Sequence, residues 1–115
     1  MPIEVGDIYL VNLKPVHGRE QAGRRPVLVL SVNAINRLPL VVTVVIGTKG
    51  ENVARDYPTN VRVSSAESGL PMETVFLGFQ LRSLDPARFA GLPAGKVSGM
   101  TLNKIETAVR HCLGL

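Results

Sequence analysis

Apolar positions in this chain fall in short unbroken runs bounded by Gly, Pro and charged residues, and only the C-terminal end spaces them as a helix does. Residues 7–13 read as a first strand, stopped by the Lys14-Pro15 break. Residues 26–32 and 40–46 are apolar on both faces, the pattern of central strands that have lost contact with water. Pro26 suits the first position of its strand, where a missing donor is tolerated. A shorter strand is predicted around Asn60-Val61-Arg62-Val63, with alternation turning Arg62 outward. Residues 74–77 and 80–84 are strand-like, and Gly78 between them signals a bulge or a close approach. Loops are predicted at 14–24, 33–39, 47–59 and 64–72, where polar and turn-forming residues collect. Near the end, Leu102, Ile105, Val109 and Cys112 fall at spacings of three, four and three, one stripe of a helix. Ser98 or Thr101 can cap its start, and Gly114 ends it. The pattern is mainly β: a small, highly curved sheet or partly open barrel with one covering C-terminal α-helix.

Composition narrows the picture. A chain of 115 residues fits one domain, taken as 1–115. With 45% hydrophobic and 19% charged residues it is built to pack rather than to stay disordered. Aromatics make up only 4%, so Val, Leu and Ile must form the core, and such cores favour strands. The single cysteine, Cys112, excludes an internal disulfide or a Cys-based metal cluster and reads as a buried structural thiol on the helix stripe. No pair of histidines or carboxylates has metal-ligand spacing, so neither metal nor other cofactor is expected. No segment resembles a signal peptide or approaches the ~20 apolar residues of a membrane span, and a cytoplasmic protein without membrane contact is expected.

Charge then points to a partner. The net charge is +4, with a pI near 9.7, and Lys14, Arg19, Arg24 and Arg25 crowd one loop against the single acid Glu20. Such a cluster favours an anionic ligand.

Two polar segments carry the candidate chemistry: residues 18–26, running into the apolar Val27-Leu28-Val29-Leu30, and residues 80–85. Arg25 precedes a proline and a buried strand, so its backbone is well fixed; it is either a surface residue neutralised by Glu20 or a phosphate clamp. Thr48 lies just after the strand at 40–46, where its hydroxyl can donate to a phosphate oxygen or bond its own backbone as a turn residue. Arg82 and Asp85 either pair at the surface, or Arg82 clamps phosphate while Asp85 orients it or acts as a base. Gln80 can read a base edge or hold Arg82. His17, in the basic loop, has the ordinary pKa of a proton-transfer group, whereas His111 falls on the polar face of the last helix.

In order along the chain, Gly6-Asp7-Ile8-Tyr9, Glu20-Gln21, Arg25-Pro26, Tyr57-Pro58-Thr59 and Gln80-x-Arg82-Ser83-x-Asp85, with a closing helix ending Leu-Gly-Leu, resemble the MazF/PemK family of bacterial toxins. The resemblance implies the SH3-like barrel of the MazF/PemK/CcdB-like fold. It also implies the toxin of a type II toxin–antitoxin system, a metal-independent endoribonuclease that cuts single-stranded RNA at a short sequence and so arrests translation and growth. Arg25 then matches a catalytic arginine, Thr48 a threonine that assists it, and Arg82 a segment tied to RNA contact or catalysis. Lys14, His17, Arg19, Glu20, Gln21, Arg24, Gln80 and Asp85 would bind RNA or support the site. Two positions depart from the family pattern: Phe79 replaces a polar or acidic residue, and Arg19 stands where some members carry histidine.

The implied reaction uses the RNA 2′-hydroxyl as nucleophile and leaves 2′,3′-cyclic phosphate and 5′-hydroxyl ends. Arginine is a poor base, because its guanidinium stays protonated at any working pH, so Glu20, Asp85 and His17 stand as alternative proton acceptors. Implied partners are a second copy of the chain and a cognate MazE-like antitoxin whose acidic tail lies across the basic loop and Arg25. A CcdB-like topoisomerase poison would lack the Arg-Pro and Gln-x-Arg pattern. An SH3-like binding module would need an aromatic groove that two Tyr, three Phe and no Trp supply poorly.

Overall fold

The computed structural model describes residues 2–13, 24–38 and 40–115. Five strands of useful length and one short one form a single antiparallel sheet: β1 (Asp7–Asn12), β2 (Arg24–Val29), β3 (Val42–Lys49), β4 (Asn60–Val63), β5 (Thr74–Leu84) and β6 (Gly95–Lys96), in the order β4-β5-β3-β2-β1-β6. The sheet curls into a half-barrel, and the helix α3 (Gly99–Leu113) packs on β4 and β5. Two one-turn helices, α1 (Asn33–Asn36) and α2 (Ser65–Ser68), sit in the connections. No helix among the described residues is long and apolar enough to cross a membrane.

Period-two alternation divides the strands between two cores, one on each face of the sheet. Ile8, Leu28, Val45 and Phe76 face one way and meet Ile105 and Val109 of α3. Tyr9, Val11, Val27, Val29, Val44, Ile46 and Leu84 face the other, with Leu13. Burial on both sides explains the unbroken apolar runs: Val27 to Val29 and Val44 to Ile46 are each at most 1% exposed. Within the second core the Tyr9 ring stands edge-on to Phe89, centroids 5.1 Å apart. Burial, then Asp7 and Glu4, push the Tyr9 phenol above its usual range.

Several boundaries differ from the sequence reading. β2 begins at Arg24, so Pro26 is its third residue; the strand is paired only with β1 there, and the missing donor costs no ladder on the β3 side. β3 runs from Val42 to Lys49, because Leu40 and Val41 are 65% and 43% exposed and belong to the connection. Residues 74–84 are one strand interrupted by a bulge: the register passes from Val45↔Leu81 to Ile46↔Leu77. Gly78 is both bulge and close approach, since a Cβ there would lie 2.6 Å from the Thr59 carbonyl and 3.3 Å from that of Ala108 on α3. Helical turns α1 and α2 lie in stretches expected to be loops. In α3 the cap is Ser98, whose Oγ accepts the Thr101 N–H, and Gly114 closes the helix at φ +70°.

Candidate functional site

Arg25 is the second residue of β2 and lies opposite Val11 of β1. The β2–β3 ladder starts only at Val27↔Ile46. Carrying that register two residues outward sets Arg25 across from Thr48, and alternation puts both on the face of the second core. The two strands thus part beside a half-buried guanidinium and a threonine. On the opposite face, that of the α3 core, the same mouth borders an apolar cleft walled by Leu10, Pro26, Leu70 and Met72, to which Arg24 and Lys49 bring positive charge and which Arg25 also lines.

Thr48 is inside β3, paired with Val75, rather than after the strand. It is 5% exposed, and its Oγ1 accepts a hydrogen bond from Asn52 Nδ2 at 3.0 Å. A β-branched residue fits a buried strand well, and the polar oxygen is satisfied by the turn that follows. That turn, the 3-10 stretch Gly50–Asn52, is tied down by Arg62 of β4. Arg62 donates to the carbonyls of Gly50 and Val53 and bonds Glu73 and Asp56. The Glu73 and Asp56 carboxylates push its pKa above the ordinary arginine value.

Arg82 shares a face with Arg25, being paired with Val44 in the second core. It lies four residues from Thr48 along β3, roughly 13 Å. Its Nη1 donates to the Leu13 carbonyl at 3.1 Å, and Arg88 Nη1 donates to that of Asn12 at 3.0 Å. Two guanidiniums from the C-terminal half therefore grip the end of β1, where the chain leaves toward the basic segment. Gln80 is half-buried in the β5 bulge beside the exposed Phe79. Asp85 does not pair with Arg82; its Oδ1 accepts the Ala87 N–H at 2.8 Å and caps the 3-10 turn Pro86–Arg88. Lys14, His17, Arg19, Glu20 and Gln21 lie outside the described residues. Arg24 is exposed at the start of β2.

The sequence reading named Arg25, Thr48 and Arg82 as candidate site residues without relating them in space, and the strand register sets them on one face; it turned Arg62 outward without giving it a role, and it singled out neither Asn52 nor Arg88. No motif marks these three; an asparagine after a strand or an arginine on an edge is too common to signal a role. Away from this face, His111 is exposed on α3 and Cys112 is half-buried, its thiol pushed up by burial. Among the described residues no three His, Cys, Asp or Glu side chains cluster as a metal site would require.

Comparison with known proteins gives this geometry a family. A sequence model of the PemK-like, MazF-like toxins of type II toxin–antitoxin systems matches residues 4–113. The chain is 33% identical over 110 residues to the endoribonuclease MazF of Staphylococcus saprophyticus, covering 96% of this chain and 90% of that protein. It is 38% identical over 86 residues to the endoribonuclease MazF of Staphylococcus epidermidis, covering 75% and 71%. Among solved structures it is similar to MazF from Deinococcus radiodurans, with a TM-score of 0.82, 27% identity and 100% and 99% of the two chains covered. It is also similar to a mycobacterial endoribonuclease in complex with its cognate antitoxin, with a TM-score of 0.78, 27% identity and 98% and 96% covered. From the first turn before β1 to the last turn of α3, the chain belongs to the PemK-like, MazF-like toxins of type II toxin–antitoxin systems.

Proposed function

We propose that this protein is a single-domain toxin that acts as a sequence-specific endoribonuclease on single-stranded RNA in the bacterial cytoplasm, without a metal ion. One observation carries the reading: a half-buried arginine at the opening of the β2–β3 ladder, in register with a buried threonine whose oxygen is already held. RNA supplies its own nucleophile, the 2′-hydroxyl, so the protein must fix the phosphate, stabilise the phosphorane and move two protons. Arg25 offers a planar fork to the non-bridging oxygens, where charge grows in the transition state. Thr48 adds one donor beside it. Arg82 and Arg88 act at a distance by holding the end of β1, and Gln80 and Arg24 flank the RNA path. The proton acceptor is drawn from Glu20, His17 and Asp85, whose second carboxylate oxygen is left over from the cap.

The partners follow from the same surface. An acidic, MazE-like antitoxin tail is complementary to the Arg24, Arg25 and Lys49 cleft, in keeping with the complex of the mycobacterial relative. A homodimer is supported by apolar residues left exposed around α1, among them Val32 at 59% and Leu40 at 65%. The stripe of α3 is not the source of that surface, because Ile105 and Val109 are buried against the sheet.

The test is a cleavage assay with purified protein, long single-stranded RNA and excess EDTA, followed by mapping of the cut ends. Cuts at one short sequence with 5′-hydroxyl ends are expected. Cleavage that stops in EDTA and returns with magnesium, or 5′-phosphate ends, would overturn the mechanism.

A further inference from the structure

A threonine hydroxyl has one proton and two lone pairs, and on its own it rotates among several partners. At Thr48 that freedom is curtailed. The 3-10 turn after β3 brings Asn52 back over its own strand, and the amide Nδ2 donates to Thr48 Oγ1 at 3.0 Å. Once the oxygen is engaged as an acceptor, the hydroxyl proton points elsewhere.

The turn that carries Asn52 is itself fixed. Gly50 N–H donates to the Glu73 carbonyl at 2.8 Å, and a Cβ at Gly50 would sit 2.6 Å from Glu73 Oε1. Arg62 holds the two ends of the turn, Nη1 on the Gly50 carbonyl at 3.2 Å and Nη2 on that of Val53 at 2.9 Å. The guanidinium is in turn held by Glu73 at 2.9 Å and Asp56 at 3.1 Å. The result is a continuous relay from the β4 edge to the mouth beside Arg25.

We propose that Asn52 is a positioning residue for RNA cleavage: its amide fixes the Thr48 hydroxyl as a donor toward the phosphate, and Arg62 fixes the turn that carries the amide. This inference rests on the assignment of Thr48 to the RNA site. Asn52→Ala removes the donor, and Asn52→Asp replaces it with an acceptor of the same shape that captures the Thr48 proton.

The experiment measures kcat and KM for a short RNA with the wild type, N52A, N52D, Thr48→Val and the N52A/T48V double variant, with a thermal melt of each. N52A is expected to lower kcat about tenfold, the worth of one hydrogen bond, with KM within about twofold. N52D should lower kcat further. In the T48V background, N52A should cost nothing more, because the group it positions is gone. Wild-type kcat in a folded N52A, or the same loss with and without the Thr48 hydroxyl, would overturn the inference. Should N52A fail to fold, wild-type kcat in N52D would overturn it equally. Full activity in T48V would instead remove Thr48 from the site, and the role of Asn52 with it.

Discussion

Arg25 is in register with Val11 of β1, and its strand joins β3 only two residues later. On the proposed function, a side chain at such an opening meets the phosphate without any strand being unpaired, so its loss should touch chemistry more than folding. Arg25→Ala is therefore expected to lower kcat by about 10²–10³ while leaving the melting temperature close to wild type. Arg82 differs, because its Nη1 is bound to the Leu13 carbonyl. Arg82→Ala should raise KM more than it lowers kcat, by loosening the end of β1. Steady-state kinetics and thermal melts separate the two: an unfolded R25A would make Arg25 structural, and a pure kcat loss in R82A would put Arg82 at the reacting phosphate. At this scale the sequence was half legible. A fixed Arg-Pro before an apolar run is visible in the letters, whereas Asn52 becomes meaningful only when a turn folds it onto Thr48.

Among the elements, α2 and α3 are joined through one carboxylate. Glu67 Oε2 accepts the backbone N–H of Ser98 at 2.9 Å, at the residue that caps α3. That bond is the main cause holding the Glu67 carboxyl below the usual range. A lowered folded pKa means that the charged form stabilises the fold above the unfolded value of about 4.3, and that this contribution is lost as pH falls through the folded value. The wild type should thus be more stable than Glu67→Gln at neutral pH, and denaturant titrations should show the gap closing below about pH 4. A gap independent of pH would mean that the Glu67 charge is not what links the helices. The strands were legible because both faces are buried and their apolar runs are unbroken. The one-turn helices were not, since four residues show no period: α1 is marked only by the buried Asn36, bonded to Ser31, and α2 by its Ser64 cap. The start of β3 was misplaced for a related reason: Leu40 and Val41 are as apolar as the strand they precede, yet exposed.

For the whole molecule, two cores on one sheet leave a basic opening at one end and an apolar surface around α1. The first calls for an acidic partner and the second for a copy of the chain. Light scattering should give twice 12.4 kDa. Expression alone should arrest bacterial growth, and co-expression of the cognate acidic antitoxin should relieve it. A harmless monomer whose cleavage of RNA is unaffected by that partner would leave the toxin assignment without support.

The grip of Arg82 and Arg88 on the end of β1 also has a consequence in time. These contacts span 69 and 76 residues of sequence. On the ribosome β1 and Arg25 emerge early, but the side chains that anchor their frame are among the later ones made. At about 5–20 residues per second, Arg88 follows Arg25 by roughly 3 to 13 s. During that interval the growing chain carries Arg25 without these two contacts. The frame at the end of β1 is therefore completed only when most of the chain has been made.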